Sequence, residues 1–110
     1  MTVAREFDCQ YAWTSHDPMA RQAGVRDEAI TALRGRKAPQ GLTAEEVEIV
    51  RYGQELVCNR RVSEATFQAV LKRLGPQGIT ELTATMGYYA MLGFALNAFD
   101  VQPDDPLLPV

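Results

Sequence analysis

The chain has 110 residues, 46% hydrophobic and 23% charged, which suits one small domain with a buried core and argues against disorder. Its 11 Lys and Arg against 14 Asp and Glu give a formal net charge of −3. With no basic cluster, nucleic acid is not an expected partner.

The hydrophobic spacing predicts an all-α fold of about five helices over residues 1–101, followed by an extended Pro-rich tail at 102–110. The first helix is expected from about Val3 to Ala23, closed by Gly24. Pro18 interrupts it, and the missing amide together with ring crowding predicts a kink near Thr14. Asp27 is expected to cap a short helix from Glu28 to Arg34, ended by Gly35, and the stretch RKAPQG is a loop. Thr43-Ala44-Glu45-Glu46 reads as a capping box opening a third helix to about Asn59, with Val47, Val50, Leu56 and Val57 at its apolar positions. Ser63 caps a fourth helix, in which Phe67, Val70, Leu71 and Leu74 repeat at helical spacing. Gly75-Pro76 breaks the chain before a last helix from Gln77 to about Asp100.

From Leu82 to Val101 the last helix reads LTATMGYYAMLGFALNAFDV, apolar around nearly its whole circumference. It is barely long enough to span a bilayer, is interrupted by Thr83, Thr85, Asn97 and Asp100, and lacks a cationic flank, so a membrane partner is not expected. A helix apolar on all sides must be surrounded by protein. One face is therefore expected in the core and the other against a neighbouring copy, with Gly87 and Gly93 allowing close approach; the alternative is a helix simply central to one domain. Tyr88 and Tyr89 point about 100° apart, so at most one faces any given pocket. Asn97 needs a hydrogen-bond partner if buried, and a bond across a subunit boundary would supply one.

Chemistry concentrates near the start. Cys9, Trp13 and His16 are spaced to share one helical face, and Glu6 extends the stripe by a turn. A thiol, an imidazole and a carboxylate so arranged could form a proton-transfer or thiolate site. Cys9 and His16 lie two turns apart, so contact needs a bend, a water or a substrate between them. The same stripe also reads as packing, with Trp13 in the core, Cys9 a small hydrophobe and His16 a satisfied polar residue. One His and two Cys separated by 48 intervening residues do not make a zinc site, and no Gly-rich phosphate loop appears, so neither metal nor cofactor is expected. Cys58 reads as a partly buried surface thiol. Two cysteines do not make a disulfide scaffold, and the charged start MTVAREFDCQ lacks an apolar signal core, so a reducing cytoplasm is the expected compartment.

The segment Cys9–Val25, CQYAWTSHDPMARQAGV, resembles the signature region of the carboxymuconolactone decarboxylase superfamily, which includes alkyl hydroperoxidase D-like proteins. Tyr11, Trp13 and His16 match its Y-x-W-x-x-H stretch. The likeness continues through Gly24-Val25, Asp27-Glu28, Gly41-Leu42-Thr43, Arg60-Arg61-Val62-Ser63, Gly87-Tyr88-Tyr89 and Asn97-Ala98. It implies a helical domain that assembles into trimers or hexamers and acts on a small molecule without a cofactor. In the decarboxylase-like reading His16 is the acid/base, Tyr11, Trp13 and Tyr89 shape the substrate pocket, and Cys9 and Glu6 assist. In the redox branch Cys9 falls on the first cysteine of a C-x-x-C and His16 on its histidine. Ala12 stands at the second cysteine, and the relay glutamate would precede Met1. A thiol peroxidase or disulfide reductase using Cys9 is thus the alternative activity, and a non-catalytic oligomeric relative the third.

Overall fold

The computed structural model describes residues 1–38 and 40–109. Five helices follow in order: α1 (Thr2–Glu6), α2 (Gln10–Gln22), α3 (Asp27–Arg34), α4 (Ala44–Asn59) and α5 (Glu64–Ala98). No strand occurs among the described residues, so the domain is all-α. The Thr43 hydroxyl accepts from the Glu46 amide while the Glu46 carboxylate accepts from the Thr43 amide, the reciprocal box read from the sequence. Ser63 likewise accepts from the Thr66 amide at the start of α5. Gly75, at φ 74°, bends α5 into arms 64–74 and 76–98, a left-handed conformation that a side chain would resist.

The break in the first predicted helix falls elsewhere than expected. α2 runs through Pro18, and the chain turns at Asp8, φ 50°. The Asp8 amide bonds to Arg5 O at 3.1 Å and the Cys9 amide to Ala4 O at 2.8 Å, the paired pattern that closes a helix around one left-handed residue. Arg5 and Arg36 both donate to the Asp8 carboxylate, and Asn97 Nδ2 donates to the freed Phe7 carbonyl at 2.7 Å. Asn97 therefore finds its partner within the chain. α3 ends at Arg34 with Gly35 as its cap, as expected, and the same closure follows with Arg36 as the left-handed residue: Arg36 takes φ 52°, and Lys37 N bonds to Ala32 O. Asp27 is the first residue of α3, not its cap; Arg26 occupies that position, and Asp27 instead accepts from Arg21.

The turn at Asp8 makes the five-residue α1 the hub of the fold, in contact with all four other helices. Two apolar clusters flank it. One gathers Ala4, Cys9, Ala12, Trp13 and Ile30 with Leu108; the other gathers Val3, Tyr52, Val70, Ile79 and Met86. Phe7 packs against both clusters.

Gly93 lets Phe7 approach α5: a Cβ there would sit 3.3 Å from Phe7 Cγ. Phe7 is held on its other side by the edge of Phe94, ring centroids 4.8 Å apart, so it has little room to yield. Gly93→Ala is expected to lower stability by about 1 kcal/mol, the overpacking outweighing the better helix propensity of Ala. Urea unfolding reads the change, and a gain in stability would contradict this packing. A Cβ on Gly87 meets nothing within 4 Å, so of the two glycines Gly87 alone leaves space open on the outside of α5.

The Pro-rich end is docked rather than trailing. Leu108 is 5% exposed. The buried Gln10 side chain donates to Leu108 O at 2.7 Å and accepts from Leu108 N at 3.0 Å, and Leu107 N donates to Thr14 Oγ1. The Gln10 amide thus satisfies a backbone segment that has no strand to pair with.

Candidate functional site

Residues of four helices, α1, α2, α4 and α5, line an apolar cavity of about 210 Å³. Its wall includes Val3 and Ala4 of α1, Cys9 at the N-cap of α2, His16 of α2, and Met86 and Tyr89 of α5. Cys9 ends the turn that Asp8 makes and leads into α2, and this brings its thiol to the wall, 1% exposed. His16 lies almost two turns further along α2 and is half-buried.

The hydrogen bonds of His16 determine its tautomer. Nδ1 lies 2.8 Å from Ala12 O, and a carbonyl can only accept, so Nδ1 carries the proton of the neutral ring. Nε2 then holds the lone pair and accepts from the Tyr89 hydroxyl at 3.2 Å. The two rings meet edge to face with centroids 5.1 Å apart, which fixes the imidazole plane. A basic nitrogen capped by a single phenol at the wall of an apolar cavity can take a proton from a bound molecule while the phenol donates to it. Neither ring nitrogen of His16 is bonded to Cys9.

The other predicted site residues are placed differently. Trp13 is 0% exposed and packs in the first cluster behind Cys9 and Ala12, outside the cavity lining; its Nε1 has no partner among the described residues. Tyr11 is 42% exposed and does not line the cavity. Glu6, cut off from the stripe by the turn at Asp8, faces a second cavity of about 430 Å³ bounded by Phe7, Val57, Cys58 and Phe94. Met86 lines both cavities. Thus His16, Cys9 and Tyr89 come together, while Glu6, Tyr11 and Trp13 do not join them. Thr2 and Thr85 add hydroxyls to the wall; in the sequence Thr85 was marked only as a polar break in the apolar last helix, and Thr2 carries no distinguishing pattern.

Glu6 instead serves Cys58. The Cys58 thiol, exposed and free, donates to Glu6 Oε2 at 3.2 Å, with Arg36 Nε 4.0 Å from the same oxygen. Desolvation pushes the thiol pKa up, the Glu6 bond and charge push it further, and Arg36 opposes them. Glu6→Gln keeps an acceptor but removes the charge, so the thiol should ionise at lower pH. Iodoacetamide alkylation of Cys58 at neutral pH should therefore run several-fold faster in this variant; an unchanged or slower rate would contradict the assigned role of Glu6.

No helix among the described residues is long and apolar enough to cross a membrane. No family model, curated protein or solved structure matches the chain.

Proposed function

We propose that the chain is a carboxymuconolactone decarboxylase-like domain that catalyses cofactor-free proton transfer, or decarboxylation, on a small lactone or keto acid, with His16 as acid/base. The observation that carries this reading is the orientation of His16. Its Nδ1–H is spent on Ala12 O, and its Nε2 lone pair is presented with the Tyr89 hydroxyl at an apolar cavity. Proton transfer by a positioned imidazole contributes roughly 10²–10⁴-fold to rate, so His16→Ala should lower turnover of a lactone and keto-acid panel by about that factor. Unchanged turnover would refute the assignment. Cys9 in the same wall supports a second reading, a thiol peroxidase or disulfide reductase, for which prompt reaction of Cys9 with peroxide is the test.

In this proposal the active form is a homo-oligomer of the kind the resemblance implies, a trimer or hexamer in the cytoplasm. Its support is a continuous exposed stripe on α5, formed by Ala84, Gly87, Tyr88, Met91, Phe94, Ala95 and Ala98.

A further inference from the structure

The charge inventory of the cavity narrows the substrate class, an inference that rests on the His16 reading above. Neither Arg, Lys, Asp nor Glu lines it. Its polar groups are the hydroxyls of Thr2, Thr85 and Tyr89, the Cys9 thiol and the His16 ring. Thr85 Oγ1 is already donated to Glu81 O. Met1 also lines the cavity, and burial lowers the pKa of its amino group below the usual range. The neighbouring guanidinium of Arg5 is committed to Arg34 O and Asp8. A carboxylate brought into such a wall loses its water and meets no Arg or Lys side chain in return, an arrangement that folded proteins avoid. A neutral carbonyl oxygen needs one donor, which Tyr89 supplies.

Size sets a second limit. A dry apolar cavity of about 150 Å³ holds benzene; scaled to about 210 Å³, the same packing admits roughly eight non-hydrogen atoms.

We propose that the cavity binds a small uncharged carbonyl compound, an enolisable cyclic ketone or a lactone without a free carboxylate, and moves a proton between its carbon atoms. The carbonyl oxygen takes the hydrogen bond of Tyr89, which frees His16 Nε2. An α C–H bond then breaks. Its proton goes to Nε2 and its electron pair becomes the C=C bond of an enolate, whose charge on oxygen is stabilised by Tyr89. Return of the proton from Nε2 to the γ carbon of a β,γ-unsaturated substrate gives the conjugated isomer. Nothing is added or lost overall, so no co-reactant is needed. Isomerisation rather than loss of carbon dioxide is the reaction this wall suits.

The test uses two rings of equal size that differ in charge, a β,γ-unsaturated cyclopentenone bearing a carboxamide (the neutral ring) and the same ring bearing a carboxylate, followed by ultraviolet absorbance of the conjugated product and by NMR for released carbon dioxide and solvent deuterium uptake. The expected result is isomerisation and deuterium uptake with the neutral ring, preferred over the charged one by at least about a hundredfold in kcat/KM. His16→Gln and Tyr89→Phe should each abolish it while retaining the wild-type far-ultraviolet circular dichroism. Thr85→Arg places a cation at the wall and should shift the preference toward the carboxylated ring by about tenfold or more. Turnover of the charged ring in preference to the neutral one, still dependent on His16, would overturn this inference and leave the acid/base role standing. Turnover of neither ring would overturn this inference and leave the His16 reading to the lactone and keto-acid panel, whereas turnover indifferent to His16 would overturn both.

Discussion

Trp13→Ala is expected to cost about 3–5 kcal/mol, as removal of a large fully buried aromatic does. The indole is 0% exposed and touches the residues that make the back of the cavity wall, Cys9 and Ala12, together with Ile30 and the docked Leu108. Its removal opens a void between α2, α3 and the C-terminal segment, which three short elements cannot collapse to fill. Small domains have a total stability of roughly 5–15 kcal/mol, so the variant should be near the edge of folding at room temperature. Trp13→Phe should be milder for two reasons. Phe fills more of the space, and it removes an Nε1 donor that is buried without a partner, so no desolvated polar group is left behind. Urea unfolding followed by circular dichroism gives both values. A loss below about 1 kcal/mol for Trp13→Ala would mean that the ring is not the keystone of this cluster.

Helix content was legible because its signals are local. The Thr43 box, the Ser63 cap and Gly75-Pro76 each act within a few residues, and each stands where the pattern placed it. The turn at Asp8 was not legible. No Gly or Pro marks it, and Pro18 drew attention to a bend that the helix does not need. What makes Asp8 turn is tertiary: Arg5 and Arg36 hold its carboxylate, and Asn97, almost ninety positions away, satisfies Phe7 O. Aspartate tolerates the left-handed region better than most residues, but the guanidinium from α3's end and the amide from α5 select it.

That one turn also explains which parts of the candidate site could be read in advance. Residues on α2 keep their helical register, so Cys9 and His16 do share a wall. Glu6 belongs to a different helix and faces Cys58 instead. Trp13 lies on α2 as well, but faces Ile30 and Leu108 because the C-terminal segment comes back over α2. That return depends on Gln10 and Thr14 bonding to backbone groups of residues 107–108, a pairing of ordinary polar residues with no spacing rule. Tyr89 was separable from Tyr88 only as one of two directions about 100° apart; contact with His16 picks it out.

Phe94→Glu and Met91→Glu are each expected to reduce the solution mass to that of one 12.2 kDa chain, read by light scattering. The stripe that carries them has a heptad spacing: Ala84, Met91 and Ala98 alternate with Gly87 and Phe94, the seven-residue repeat by which one helix keeps one side facing another. Its large members are substantially exposed, Met91 at 58%, Phe94 at 66% and Tyr88 at 54%. Each would contribute about 1.5–3 kcal/mol on full burial, and Gly87 leaves the backbone approachable between them. A glutamate at the centre of such a seam loses the apolar gain and must also be desolvated without a partner, since the stripe offers no cation. Ala65→Glu adds the same charge on the exposed side of the other arm of α5, near a helix start that favours an acid, and should leave the mass unchanged. Tyr89 lies next to Tyr88, ring centroids 5.4 Å apart, so ordering of Tyr88 in an assembly would brace the phenol that caps His16. Dissociated variants should then lose turnover along with mass. A wild-type chain already monomeric at micromolar concentration would overturn the seam, and a dissociated variant with full activity would separate assembly from the site.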